Sequence, residues 1–101
     1  MENHAITKEI ATKFLSNVPE NSKFWCTDGS VFSSLKQLRN ALPNMKAETF
    51  SYHVNESKND FSNWIHDAIG DTELASELKK TTDKRAIEKR IRERVKKLQK
   101  I

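Results

Sequence analysis

His53, Asp60, His66 and Asp67 lie within fifteen residues of one another, and imidazole and carboxylate together can ligate a metal or move a proton. Their spacing fits no standard ligand pattern. His66 and Asp67, adjacent on a helix, would project about 100° apart. Cys26 with His53 would be a thiol–imidazole pair, but Cys26 is expected in a strand beside Trp25 and Phe32, where a thiol acts as a small buried hydrophobe. The chain offers no Gly-rich phosphate loop and no candidate oxyanion hole. It is therefore expected to be non-enzymatic, with no cofactor, no metal and no small-molecule substrate. A more economical account has Asn59 and Asp60 satisfying the free N–H groups at a helix start. His53 would then hydrogen-bond across the turn and fix two helices at an angle.

Those side chains need elements to hold them. Ile6, Ile10, Phe14 and Val18 recur every four residues, one face of a helix closed by Pro19. Asp28-Gly29 between Phe24-Trp25-Cys26 and Val31-Phe32 predicts a small hairpin, because such a turn needs residues that accept positive φ. Ser33 or Ser34 can cap a helix bearing Leu35, Leu38 and Leu42, ended by Pro43. A short helix from about Ala47 to Val54 would carry Phe50. Asn59 or Asp60 caps the next, with Phe61, Trp64, Ile65 and Ala68, stopped at Gly70. Asp71 or Thr72 caps another with Leu74, Ala75 and Leu78. Asp83 starts the longest.

The expected class is mainly α (α+β), about five helices with one small β-hairpin near residues 24–32, as a single domain over residues 1–101. Phe24 or Trp25, Phe32, Leu35, Leu38, Leu42, Phe50, Phe61, Trp64, Ile65 and Leu74 are the expected core. Apolar residues form 36% of the chain and charged ones 32%, lean for a core but supported by two Trp and five Phe. No apolar run reaches the roughly 20 residues of a membrane span, and the N-terminal stretch does not read as a signal peptide. With a lone Cys26, a reducing, cytoplasmic setting is expected.

The net charge of +4 is unevenly placed. Residues 83–101 hold nine Lys/Arg against three Asp/Glu, while residues 1–82 hold nine against eleven. This basic amphipathic helix carries Ile87, Ile91, Val95, Leu98 and Ile101 on one edge, within an arc of about 120°. The stripe could seat in a partner's groove, pair with its own copy, or pack on the domain. The favoured function is a protein–protein interaction module, with an unknown protein partner or self-association through Ile87, Ile91, Val95 and Leu98. The alternative is non-specific nucleic-acid binding through Lys89, Arg90, Arg92, Arg94, Lys96 and Lys97 of the same helix. No membrane partner is expected.

The series F-x-x-x-D-G from Phe24, the Leu35/Leu38/Leu42 helix, Phe50 with Tyr52-His53-Val54, and the block H-V-x-x-x-x-N-D-F-x-x-W-I resemble an uncharacterised domain family of archaeal and some bacterial proteins. The resemblance covers about residues 24–79. It implies a prokaryotic module and marks His53, Asn59, Asp60 and Trp64 as signature residues, with a structural role favoured. It implies nothing about the N-terminal helix or the basic C-terminal helix.

Overall fold

The computed structural model describes residues 5–101; the first four residues of the stretch read for a signal peptide lie outside it. Among the described residues, six α-helices and one two-stranded hairpin make the fold mainly α, as expected.

Helix α1 (Lys8–Leu15) starts where the Thr7 hydroxyl accepts from Ile10 N–H at 3.1 Å. It stops three residues short of Val18. The four-residue spacing therefore overstates this helix: Ala11 is its buried residue, Phe14 and Leu15 are half-buried, and Ile10 is exposed. Val18 is buried as extended chain, its N–H donating to Ser33 O at 2.7 Å.

Strands β1 (Phe24–Trp25) and β2 (Val31–Phe32) pair antiparallel, Phe24 with Phe32 and Trp25 with Val31. The hairpin closes through Cys26 N–H to Ser30 O and Gly29 N–H to Cys26 O, with Gly29 at φ +94°. Only Gly29 takes positive φ here, so this is a three-residue loop ending in a glycine bulge rather than a two-residue turn. Cys26 accordingly leaves the strand and lies buried at the loop's base. Alternation then decides between the two aromatics of β1: Phe24 points inward and stacks 5.9 Å from Phe32, while Trp25 points out.

Helix α2 (Leu35–Ala41) is capped by Ser34, whose hydroxyl accepts from Gln37 N–H, while the Gln37 amide oxygen accepts from Ser33 N–H. This reciprocal pairing resembles a capping box. Leu35, Leu38 and Leu42 are fully buried, and a tight turn over Leu42–Asn44 leads to α3 (Ala47–His53). Helix α4 (Asp60–Trp64) widens into one π turn over Ile65–Ile69 and ends at Gly70, φ +92°, whose N–H reaches back to Ile65 O. Helices α5 (Thr72–Leu78) and α6 (Lys84–Gln99) are capped by Asp71 and Asp83. Helix α6 lies against α1, α2 and α5, closing the core from one side.

Candidate functional site

The polar block around His53 is built across three elements. His53 sits at the end of α3 with its side chain only 4% exposed. Its Nε2 lies 3.1 Å from Thr27 N–H in the hairpin loop, which can only donate, so Nε2 accepts and the ring proton sits on Nδ1. Nδ1–H donates to Asp60 Oδ2 at 3.0 Å, and Lys58 Nζ reaches the same oxygen at 3.0 Å. Burial disfavours ionisation of Asp60, yet the hydrogen bonds from His53 and Lys58 outweigh it and hold the carboxyl below its ordinary 3.8. Both imidazole nitrogens are thus engaged by protein groups.

The other signature residues are likewise engaged. Asn59 accepts from Ser62 N–H to cap α4 and donates to Leu78 O at 3.0 Å, while Ser62 Oγ–H donates to Ala75 O at 2.7 Å. Trp64 is buried, and its indole N–H donates to Ser22 O at 2.7 Å. His66 and Asp67 are exposed and, among the described residues, hydrogen-bond through their side chains only to each other. Burial pushes the Cys26 thiol up, against hydrogen bonds that lower it, and the His53 nitrogen that a thiol would need is taken by Thr27. Among the described residues no group of three or more His, Cys, Asp or Glu is placed to hold a metal ion.

What the block does is hold the walls of a groove. Between the hairpin loop and α3 runs an open groove of about 670 Å³ lined by Thr27, Asp28, Asn44, Lys46, Glu48, Thr49 and Tyr52. His53 fixes the first wall through Thr27 and supports the second, its ring meeting Tyr52 edge-on at 5.0 Å. Lys58 Nζ lies over the Tyr52 ring, 4.3 Å from its centroid. Trp25, next along β1, is 72% exposed and Tyr52 56%. In the loop, the Ser30 N–H holds the Asp28 carboxyl below its usual range.

The C-terminal helix is arranged differently from its expected use. Ile87, Ile91, Val95 and Leu98 are at most 2% exposed, so the stripe expected to bind a partner is part of the core. A chain this lean in apolar residues needs that stripe to cover α1, α2 and α5. Arg94 also leaves the nucleic-acid set: it is buried and pairs bidentately with buried Asp71 at 2.7 and 2.8 Å. Desolvation opposes its charge, but Asp71 outweighs that and raises the guanidinium above its ordinary value. Arg90 turns to Glu77 at 2.6 Å. Lys89, Arg92, Lys96 and Lys97 remain exposed and make no ion pair among the described residues.

Asp71, Glu77 and Tyr52 were not anticipated as working residues. Asp71 read only as a helix cap, and nothing local pairs it or Glu77 with arginines 23 and 13 residues away. A faint signal for Trp25 existed, since strand alternation must expose one of two adjacent aromatics.

A mainly helical domain with a hairpin-edged groove and a cationic helix face is the class that fold and site define. The model of a family of unknown function (DUF5752) matches residues 20–100, and the chain belongs to that family. The family span thus takes in α6, which the resemblance had left outside. No curated protein and no solved structure matches the chain. Among the described residues no helix is long and apolar enough to cross a membrane.

Proposed function

We propose that the chain is a non-enzymatic protein-interaction module whose contact face joins the groove walled by Tyr52 to the exposed Trp25 on the adjoining hairpin strand. The observation that supports it is the exposure of these two rings, 72% and 56%, in a chain whose other tryptophan is buried. Trp and Tyr are the side chains that dominate binding energy when an interface covers them. Tyr52 is held in place by His53 and Lys58, so little ordering cost remains for it on binding. Asp28, Lys46, Glu48 and Thr49 supply a polar rim of mixed charge. The contact element is thereby moved from the buried stripe of α6 to the hairpin side. A non-enzymatic reading is supported by the engagement of both His53 nitrogens and by the unreactive setting of Cys26.

The test is capture from native cells after nuclease treatment, with wild type, Trp25→Ser and Tyr52→Ser as baits. A protein held by wild type should be lost or depleted about tenfold with either variant, while the unfolding midpoint hardly moves. A partner retained equally by all three baits places the contact elsewhere.

A further inference from the structure

Helix α6 and its C-cap Lys100 carry nine cations, three of them paired and six without an ion partner among the described residues. Lys84 pairs with Glu88 at 2.6 Å, Arg90 with Glu77 at 2.6 Å, and Arg94 with Asp71 and Glu73. Arg85, Lys89, Arg92, Lys96 and Lys100 are exposed and have no ion-pair or hydrogen-bond partner among the described residues. Their steps of four, three, four and four place them within an arc of about 80°, at 100° per residue. They form one row about 22 Å long, at 1.5 Å rise per residue. Lys97 and Glu93 stand beside this row, also exposed, so one carboxylate interrupts its edge.

From this arrangement we infer that the outer row of α6 is a binding surface for the phosphate backbone of a duplex nucleic acid. It is a different face from the groove and does not depend on it. A line of fixed cations matches a line of fixed anions, and duplex DNA carries one charge per about 1.7 Å of axis. The rest of the exposed face of α6 argues against other partners. Besides the five cations its exposed residues are Glu93, Lys97 and Gln99, and the one exposed apolar side chain near the row is Ile101, beyond the helix end, at 38%. A helix lying on a membrane must bury an apolar face, and the apolar face of α6 already lies in the core. A stable protein interface has an apolar centre, which this face lacks. It also has no aromatic ring on which an unpaired base could stack, so a duplex is favoured over a single strand. With no base-reading element, the binding is independent of sequence.

The experiment measures anisotropy of a labelled 20-base-pair duplex of random sequence, made as DNA and as RNA, with the full chain across a salt series. Five phosphates neutralised give a slope of log K against log salt of about −4.5, or about a 500-fold loss between 50 and 200 mM salt. The triple variant Lys89→Gln, Arg92→Gln, Lys96→Gln should bring the slope to about −2 and weaken low-salt binding at least about tenfold. The charge-matched triple Lys8→Gln, Lys13→Gln, Lys79→Gln, off α6 and off the groove, should bind within about threefold of wild type. Thermal unfolding of both triples shows that they fold. The phosphate chemistry is common to both duplexes, and the ratio of their affinities ranks the two sources. Equal weakening by the two triples, no duplex binding at 50 mM salt, or tighter binding to poly-glutamate or to phosphatidylserine vesicles each overturns the inference. Failure here leaves the groove reading standing, because that capture is done after nuclease treatment.

Discussion

The polar groups inside the molecule and the outer row of α6 use the same residue types under opposite rules. Inside, Asp71 takes two hydrogen bonds from Arg94 and one from Leu74 N–H, and His53 is held on both ring nitrogens. Outside, five cations on one helix face have no ion partner among the described residues. A buried charge without a partner is unstable, so the inner set had to be matched. Solvated charges carry no such requirement, and an unmatched row on the surface remains available to another molecule. Charge alone therefore does not separate a residue that holds the fold from one that meets a partner; the partner across the fold does.

Substitutions can break or sharpen that contrast. The largest effect belongs to Asp71→Ala, which leaves the buried Arg94 with only the exposed Glu73 at 3.5 Å and removes the α5 cap; a loss of about 4–6 kcal/mol is expected in denaturant unfolding. Combining it with Arg94→Met should recover most of that loss, since the penalty lies in the unpaired charge rather than in the missing attraction. Trp64→Ala should cost about 3–5 kcal/mol, with a value under 1 removing Trp64 from the core. His53→Ala leaves Thr27 N–H without its acceptor and Asp60 with Lys58 in place of two donors, and about 2–3 kcal/mol of destabilisation should follow.

Acid should act on the same network through Asp60. Its carboxyl titrates below 3.8 in the folded chain, so its contribution is fully present above the unfolded value and is lost as pH falls through the folded one. Asp60→Asn should consequently flatten the decline in stability on going from about pH 5 to pH 3, seen in urea midpoints. An unchanged decline would mean that other carboxylates govern the acid limb. Smallest of all should be Trp25→Ser and Arg92→Gln, each within about 0.5 kcal/mol of wild type. A loss above 1 kcal/mol at either would show that the exposed groups also hold the fold.

Much of the architecture was legible because its causes are local. Ser34, Asn59, Asp71 and Asp83 cap helices where their types and positions indicated, and Gly29 and Gly70 occupy the two positive-φ positions. The Leu35/Leu38/Leu42 spacing marked a buried face. His53 bonding across a turn was foreseen in kind, though its acceptor role toward Thr27, 26 residues away, was not. The α1 face was overread, since a period of four states which residues share a side and not where the helix stops. The stripe of α6 was placed on the correct side of its helix and assigned the wrong neighbour. Periodicity gives direction; it does not say whether the chain's own core or a second molecule lies there.

The order of residues alone determined the helices, their starts, the hairpin's position and the gathering of positive charge at one end, because each follows from contacts within about four residues. Only the tertiary structure decided that Arg94 faces inward to Asp71 and Arg90 reaches across to Glu77, that Ile87, Ile91, Val95 and Leu98 complete the core, and that Trp25 rather than Phe24 meets solvent. Those outcomes depend on which distant carboxylate or apolar surface arrives opposite a side chain, and on the cost of leaving a charge or a ring without one.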